Sequence, residues 1–170
     1  MTVEADRRSS ARLPVPSLRR RLACTLYEGV ILFGVVIMAT YLYSGLTQQR
    51  HALDGRHGLQ AFLFLILGIY FAWFWSHGRQ TVAMKTWHIR LERAGGGPVS
   101  QRRALARYCL SWLWLLPVIA VWALGLHELK AISIAMVASM LGYPLLAFLH
   151  PQRQYWHDAA CGTRLVQWKP

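Results

Sequence analysis

Residues 22–45 read LACTLYEGVILFGVVIMATYLYSG, and how this stretch is interpreted decides the fold. It is apolar almost throughout. Three arginines, Arg19, Arg20 and Arg21, stand at its N-terminal edge, and a single acid, Glu28, lies within it. A helix of this length rises ~36 Å, enough to cross a hydrocarbon layer of ~30 Å with some tilt. An ionisable group inside such a span costs roughly 2.5 kcal/mol or more unless it finds a partner or water. The stretch therefore reads as a membrane span whose buried carboxylate has to be accounted for by the rest of the protein.

Three more apolar runs follow: 59–76 (LQAFLFLILGIYFAWFWS), 110–126 (LSWLWLLPVIAVWALGL) and 131–149 (AISIAMVASMLGYPLLAFL). The run 110–126 is at the short end for a span, but it holds no charge and is rich in Trp. With mean hydropathy +0.27 and 55% apolar residues, the 170-residue chain reads as a four-helix transmembrane bundle, an all-α membrane protein. The disordered N-terminal lead-in is expected over 1–17, with the membrane domain over 18–168. No cleavable signal peptide is expected, because the apolar stretch begins late, is too long and contains Glu28.

The net charge of +12 would suggest nucleic acid in a soluble protein. Here the basic residues cluster between the apolar runs, and no base-stacking module is recognisable, so no nucleic-acid partner is expected. Sixteen Lys and Arg fall in the N-terminal segment, the long central loop and the tail, against three in the other two connections. That bias predicts both termini and the central loop on the cytoplasmic side of the inner membrane. Cys24, Cys109 and Cys161 show no ligand or disulfide spacing and read as free thiols. Tyr41, Tyr43, Trp73, Trp75, Trp112, Trp114 and Trp122 fit interfacial belts. Pro117 and Pro144 should kink their helices. Ala131, Ala135, Ser139 and Gly142 form a small-residue stripe suited to close helix packing within one molecule or, as the other reading, to a homo-oligomer.

The central loop carries structure of its own. Residues 86–93, TWHIRLER, alternate apolar and polar at strand period, and Gly95, Gly96, Gly97 and Pro98 form a turn. Ser100 is placed to cap a short basic helix, 101–108, that leads into the third apolar run and is suited to lie in the interface with Arg102, Arg103 and Arg107 on anionic headgroups. Residues 163–168, TRLVQW, read as a second strand after Gly162. The two strands should pair as a small cytoplasmic β-ribbon.

Three blocks carry a family pattern: RLACTLYE from Arg21 to Glu28, GRQTVAMKTWHIRL from Gly78 to Leu91 with GGGPVSQRRALARY behind it, and HDAACGTRLV from His157 to Val166. Together they make the protein resemble the RDD family of bacterial membrane proteins, over nearly its whole length. Arg21 and Asp158 fill the family's first and last named positions. The middle position, an aspartate in the family, is Glu28 here. Gly78, Gln80, Thr81, Lys85, Gly162 and Thr163 belong to the motif loops. The resemblance implies a multi-span inner-membrane protein, and for some members cation/proton exchange has been proposed.

Arg21 and Glu28 are seven residues apart, on one helix face and ~10 Å apart along the axis, too far for a relaxed direct bond. The expected site is a cluster of Arg21, Glu28, Arg107, His157 and Asp158 at the cytoplasmic end. One reading makes it an ionic clasp that fixes how the spans and ribbon dock. The other makes Glu28 a protonatable site that exchanges a proton for a cation. No catalytic motif appears, so no enzyme activity, cofactor or metal site is expected. His51, His57, His77, His88, His127 and His150 are scattered along the sequence. Function is thus expected to be a small transporter or cation/proton exchanger, with a non-enzymatic scaffold or accessory subunit as the alternative. The partners in view are the bilayer, a second copy or a membrane partner protein.

Overall fold

The computed structural model describes residues 13–48, 56–149 and 154–168. It is mostly helical. Helix α1 spans Leu18–Thr47, with the Ser17 hydroxyl accepting from the Arg20 N–H at its start. Helix α2 spans Arg56–Trp75, and the backbone then turns through His77 and Gly78, both at positive φ. A short helix α3, Val82–Thr86, leads into strand β1, Ile89–Arg93. Helix α4, Gln101–Ser111, passes through a 3-10 turn at Trp112–Leu115 into α5, Leu116–Ala123. Helix α6, Leu129–Leu145, ends in a 3-10 turn at Leu146–Leu149. Helix α7, Trp156–Ala160, and strand β2, Thr163–Gln167, are the last of the described elements.

Among the described residues three helical units are long and apolar enough to cross a membrane: α1, α2 and the column Gln101–Ala123. The fourth apolar run gives α6, which at 17 residues is shorter. The spans bury little of themselves inside the protein; large apolar side groups such as those of Val30, Phe33, Met38, Leu65, Ile69, Ile119 and Leu141 are exposed. Apolar area on that scale calls for lipid against it.

The buried core lies elsewhere, at one pole, where α3 packs on α1 and on the ribbon, and α4 packs on α2. Ala83, Ile89, Leu91, Val99, Ala104 and Tyr108 are almost wholly buried there. Tyr108 donates to Phe64 O at 2.9 Å and packs against Gly68, where an added Cβ would sit 3.1 Å from the ring. This close approach is what joins α2 and α4.

The expected ribbon forms. Strands β1 and β2 are antiparallel in the register Ile89↔Gln167 through Arg93↔Thr163. Glu92 and Arg164 are paired across it, and their opposite charges lie 3.9 Å apart. An isolated two-stranded ribbon is marginal in water; this one is covered. The Gln154 amide bonds both the N–H and C=O of Leu165, and Gln167 N–H donates to Pro14 O. Residues 1–12 of the expected disordered lead-in lie outside the described residues. The rest of it, 13–17, packs on the ribbon with Pro16 buried, so ordered structure begins before Ser17.

Four local expectations are corrected. The strand expected from Thr86 starts at Ile89, because Thr81 caps a helical turn that claims Val82–Thr86. The basic helix 101–108 runs on into the third apolar column as expected, but Arg107 does not face headgroups with Arg102 and Arg103; it points into the protein and is buried. Pro117 is not inside a regular helix, since it falls in the first turn of α5 just after a 3-10 turn, where a missing N–H costs nothing. Trp75 belongs to the buried core rather than to an interfacial belt. The small-residue stripe packs within the molecule, with Ala135 and Ser139 buried.

Gly78, at φ +74, is a sharp test of the turn that leads to the ribbon. A Cβ there would lie 2.8 Å from Arg90 Nη2, on a backbone that L residues avoid. Gly78→Ala should lower the unfolding free energy by about 1–2 kcal/mol. Gly34→Ala, in open space on α1, should be neutral or stabilise by up to about 1 kcal/mol. Thermal melts of detergent-solubilised protein would check both.

Candidate functional site

The polar residues singled out from the sequence converge at the pole where the ribbon meets the spans. They do so in two separate arrangements. The first is an ion pair. Arg107, on the buried face of α4, donates from Nε to Asp158 Oδ1 at 2.5 Å. Its guanidinium lies 4.0 Å over the Trp75 ring. Asp158 is fully buried in the first turn of α7, and Thr163 Oγ1 donates to its backbone carbonyl at 3.1 Å. Gly162, at φ +60, makes the turn that lets Thr163 fold back in this way. Two charges taken out of water in this manner hold only because each meets the other and because an aromatic face covers the cation.

His157 stands beside this pair. Its Nδ1 is 2.6 Å from the Tyr143 hydroxyl and its Nε2 is 3.5 Å from Asp158 Oδ1. A neutral ring protonated on Nε2 suits both neighbours, with Tyr143 O–H donating to Nδ1. Tyr143, Tyr155 and His157 stack nearly parallel, with centroids 5.5–6.4 Å apart. Burial pushes the imidazole pKa down from 6.5 to about 4, outweighing the pull of Asp158 in the other direction. Burial likewise raises the Tyr155 phenol, against the lowering effect of Arg21, and raises the Cys161 thiol.

The second arrangement is on α1. Glu28 is buried, and its carboxylate accepts from Tyr70 Oη at 2.7 Å and from Thr81 Oγ1. Thr81 thus serves twice, since the same oxygen accepts from Met84 N–H and caps α3. Gln80, its neighbour in the motif, donates to Ile89 O at 2.7 Å and ties the loop to β1. Among the described residues Glu28 makes no ion pair. Arg21, two turns away, is 4% exposed and does not reach it. Its guanidinium rests 4.9 Å over the Tyr155 ring, and its Nε and Nη1 are buried without a hydrogen-bond partner. Lys85 is exposed at the end of α3 and takes no part.

Arg21, Glu28, Arg107 and His157 all border one half-open cavity of about 430 Å³, whose walls are mostly apolar. Among the described residues no three His, Cys, Asp or Glu side groups gather as metal ligands. The residues that sequence reasoning missed are Tyr70, Tyr143, Tyr155 and the covering Trp75. A lone hydroxyl inside an apolar run was the one signal for Tyr70. The roles of the others depend on how distant segments dock.

Two outcomes follow from this geometry. Removing one partner of the pair leaves a buried charge uncompensated, so Asp158→Ala should cost about 3–5 kcal/mol. The double change Arg107→Met with Asp158→Leu should recover much of that loss in the same melt. Separately, an unfolded His157 takes up a proton near pH 6.5, while the buried ring refuses it until about pH 4. Stability from this residue is therefore complete above pH 6.5 and falls as pH drops through that window, by on the order of 3 kcal/mol. His157→Gln should flatten the dependence of the melting temperature on pH between 6.5 and 4; an unchanged slope would mean the ring is not held neutral.

Neither a curated protein nor a solved structure matches the sequence. The RDD family matches over residues 15–162, a range that takes in all three motif blocks up to Gly162. With that range covering most of its length, and with Arg21 and Asp158 buried at the positions that define the pattern, the chain belongs to the RDD family.

Proposed function

We propose that this RDD-family protein is a multi-pass inner-membrane protein that exchanges a small cation for a proton, with Glu28 as the carrier group. Four crossings suit it. Helix α6 and the 3-10 turn behind it together rise ~34 Å, enough for a fourth span. The excess of Lys and Arg favours both termini and the ribbon on the cytoplasmic side, forming a four-helix transmembrane bundle with a cytoplasmic ribbon.

The observation that carries the proposal is the state of Glu28. It lies about two turns inside the first span, held by two neutral hydroxyls, with no ion pair among the described residues, and it borders a cavity open on one side. A carboxylate in such a place needs a proton or a cation to be neutral. Tyr70 and Thr81 orient it without neutralising it, which leaves that role to an exchangeable ion. Arg21 and Arg107 line the same cavity, and Arg107 holds the buried Asp158 behind its wall.

A second reading rests on the Arg107–Asp158 pair. That pair ties α4 to α7 and the ribbon, and it suits a non-enzymatic scaffold or accessory subunit whose basic face binds lipid or a partner protein, or which assembles with a second copy. Vesicles holding purified protein separate the two readings. Cation-driven proton flux should be present with wild type, lost in Glu28→Gln and reduced in Thr81→Val. Flux that survives Glu28→Gln would end the carrier reading and leave the scaffold.

A further inference from the structure

The cavity lies between α1 and α6. Its walls come from Leu32 and Cys24 on one side, Met140 and Pro144 on the other, and Phe71 at the back. Helices α1 and α6 make no substantial contact with each other, although α1 packs on α2 and α6 packs on α5. The space is therefore a half-open groove between two apolar helices, with α2, α4 and the ribbon also on its walls. At its polar end sits Arg21, with two buried nitrogens lacking any acceptor. A buried cation of this kind is costly unless an anion completes it. Its ring contact with Tyr155 and the more distant charge of Asp158 moderate that cost without supplying an acceptor to those nitrogens.

We propose that this groove binds one acidic phospholipid, with the headgroup phosphate on Arg21 and an acyl tail along the apolar wall. The charge at the polar end and the apolar lining match the two halves of such a molecule. The volume falls in the usual range for a site with a few polar groups in apolar walls. Arg21 stands at the head of the first span, at headgroup depth, where basic side groups meet anionic lipid. The inference rests on the bilayer placement and does not depend on whether Glu28 carries protons.

Native mass spectrometry of the full-length protein released from detergent tests it, with phosphatidylglycerol, phosphatidylcholine and inorganic phosphate as probes. Wild type should retain one phosphatidylglycerol roughly tenfold better than phosphatidylcholine, because both offer a phosphate but the choline ammonium cancels its charge and is repelled by the arginines at the groove. Arg21→Gln should erase that preference, whereas Arg102→Gln, on the exposed side of α4, should keep it. Leu32→Trp fills the groove and leaves the charge in place, so it should also lose the lipid; it keeps the test decisive should Arg21→Gln fail to fold. Added phosphatidylglycerol should raise the melting temperature of wild type but not of Leu32→Trp. Equal retention of the two lipids, a preference that survives Arg21→Gln, displacement by inorganic phosphate alone, or a lipid-free dimer that buries the groove would each overturn the proposal. Glu28→Gln should retain the lipid, which separates this outcome from failure of the exchange reading.

Discussion

The bond between Arg107 and Asp158 joins residues 51 positions apart and fastens the third apolar column to the C-terminal helix and ribbon. Neither charge would be tolerable alone at that depth. Trp75 covers the guanidinium, so the pair is closed off by the end of α2 as well. Three parts of the molecule thus meet around one ion pair, and the ribbon, too small to be stable alone, gains its position from them. A buried pair adds little net stability over an apolar replacement, but an incorrect docking would leave both charges stranded.

Arg21 and Glu28 show the opposite solution. They share a helix face yet remain apart, and each is met by a different kind of group. Glu28 takes hydroxyls from α2 and from the α3 cap; Arg21 takes the face of a tyrosine. Hydroxyls and rings orient a charge without cancelling it. One pole of the molecule therefore holds a tied pair beside two charges on a cavity that no ion pair holds among the described residues.

Much of this was legible in the residues. The length of the apolar runs indicated α1 and α2, strand-period alternation located the ribbon, and the motif blocks pointed to the family. The alternation misled at Glu92, which is buried despite its polar phase because Arg164 faces it across the ribbon. Pro117 misled as well, since a proline in an apolar run reads as a kink until the 3-10 turn before it is seen. Arg107 was expected both on headgroups and in the cluster with Asp158, and the residues alone did not choose between the two. Arg102 and Arg103 on the same helix stay exposed, and only the docking of α7 turns the third arginine inward.

By itself the sequence determined the membrane class, the helical columns, the two strands and the family. These follow from apolar length, alternation and motif order, which are properties of neighbouring residues. Only the tertiary structure decided that Glu28 meets Tyr70 and Thr81, that Arg107 rather than Arg21 takes Asp158, and that a groove stands open between α1 and α6. Those contacts bridge 42 to 53 positions. They depend on how whole helices settle against one another, which local pattern cannot encode.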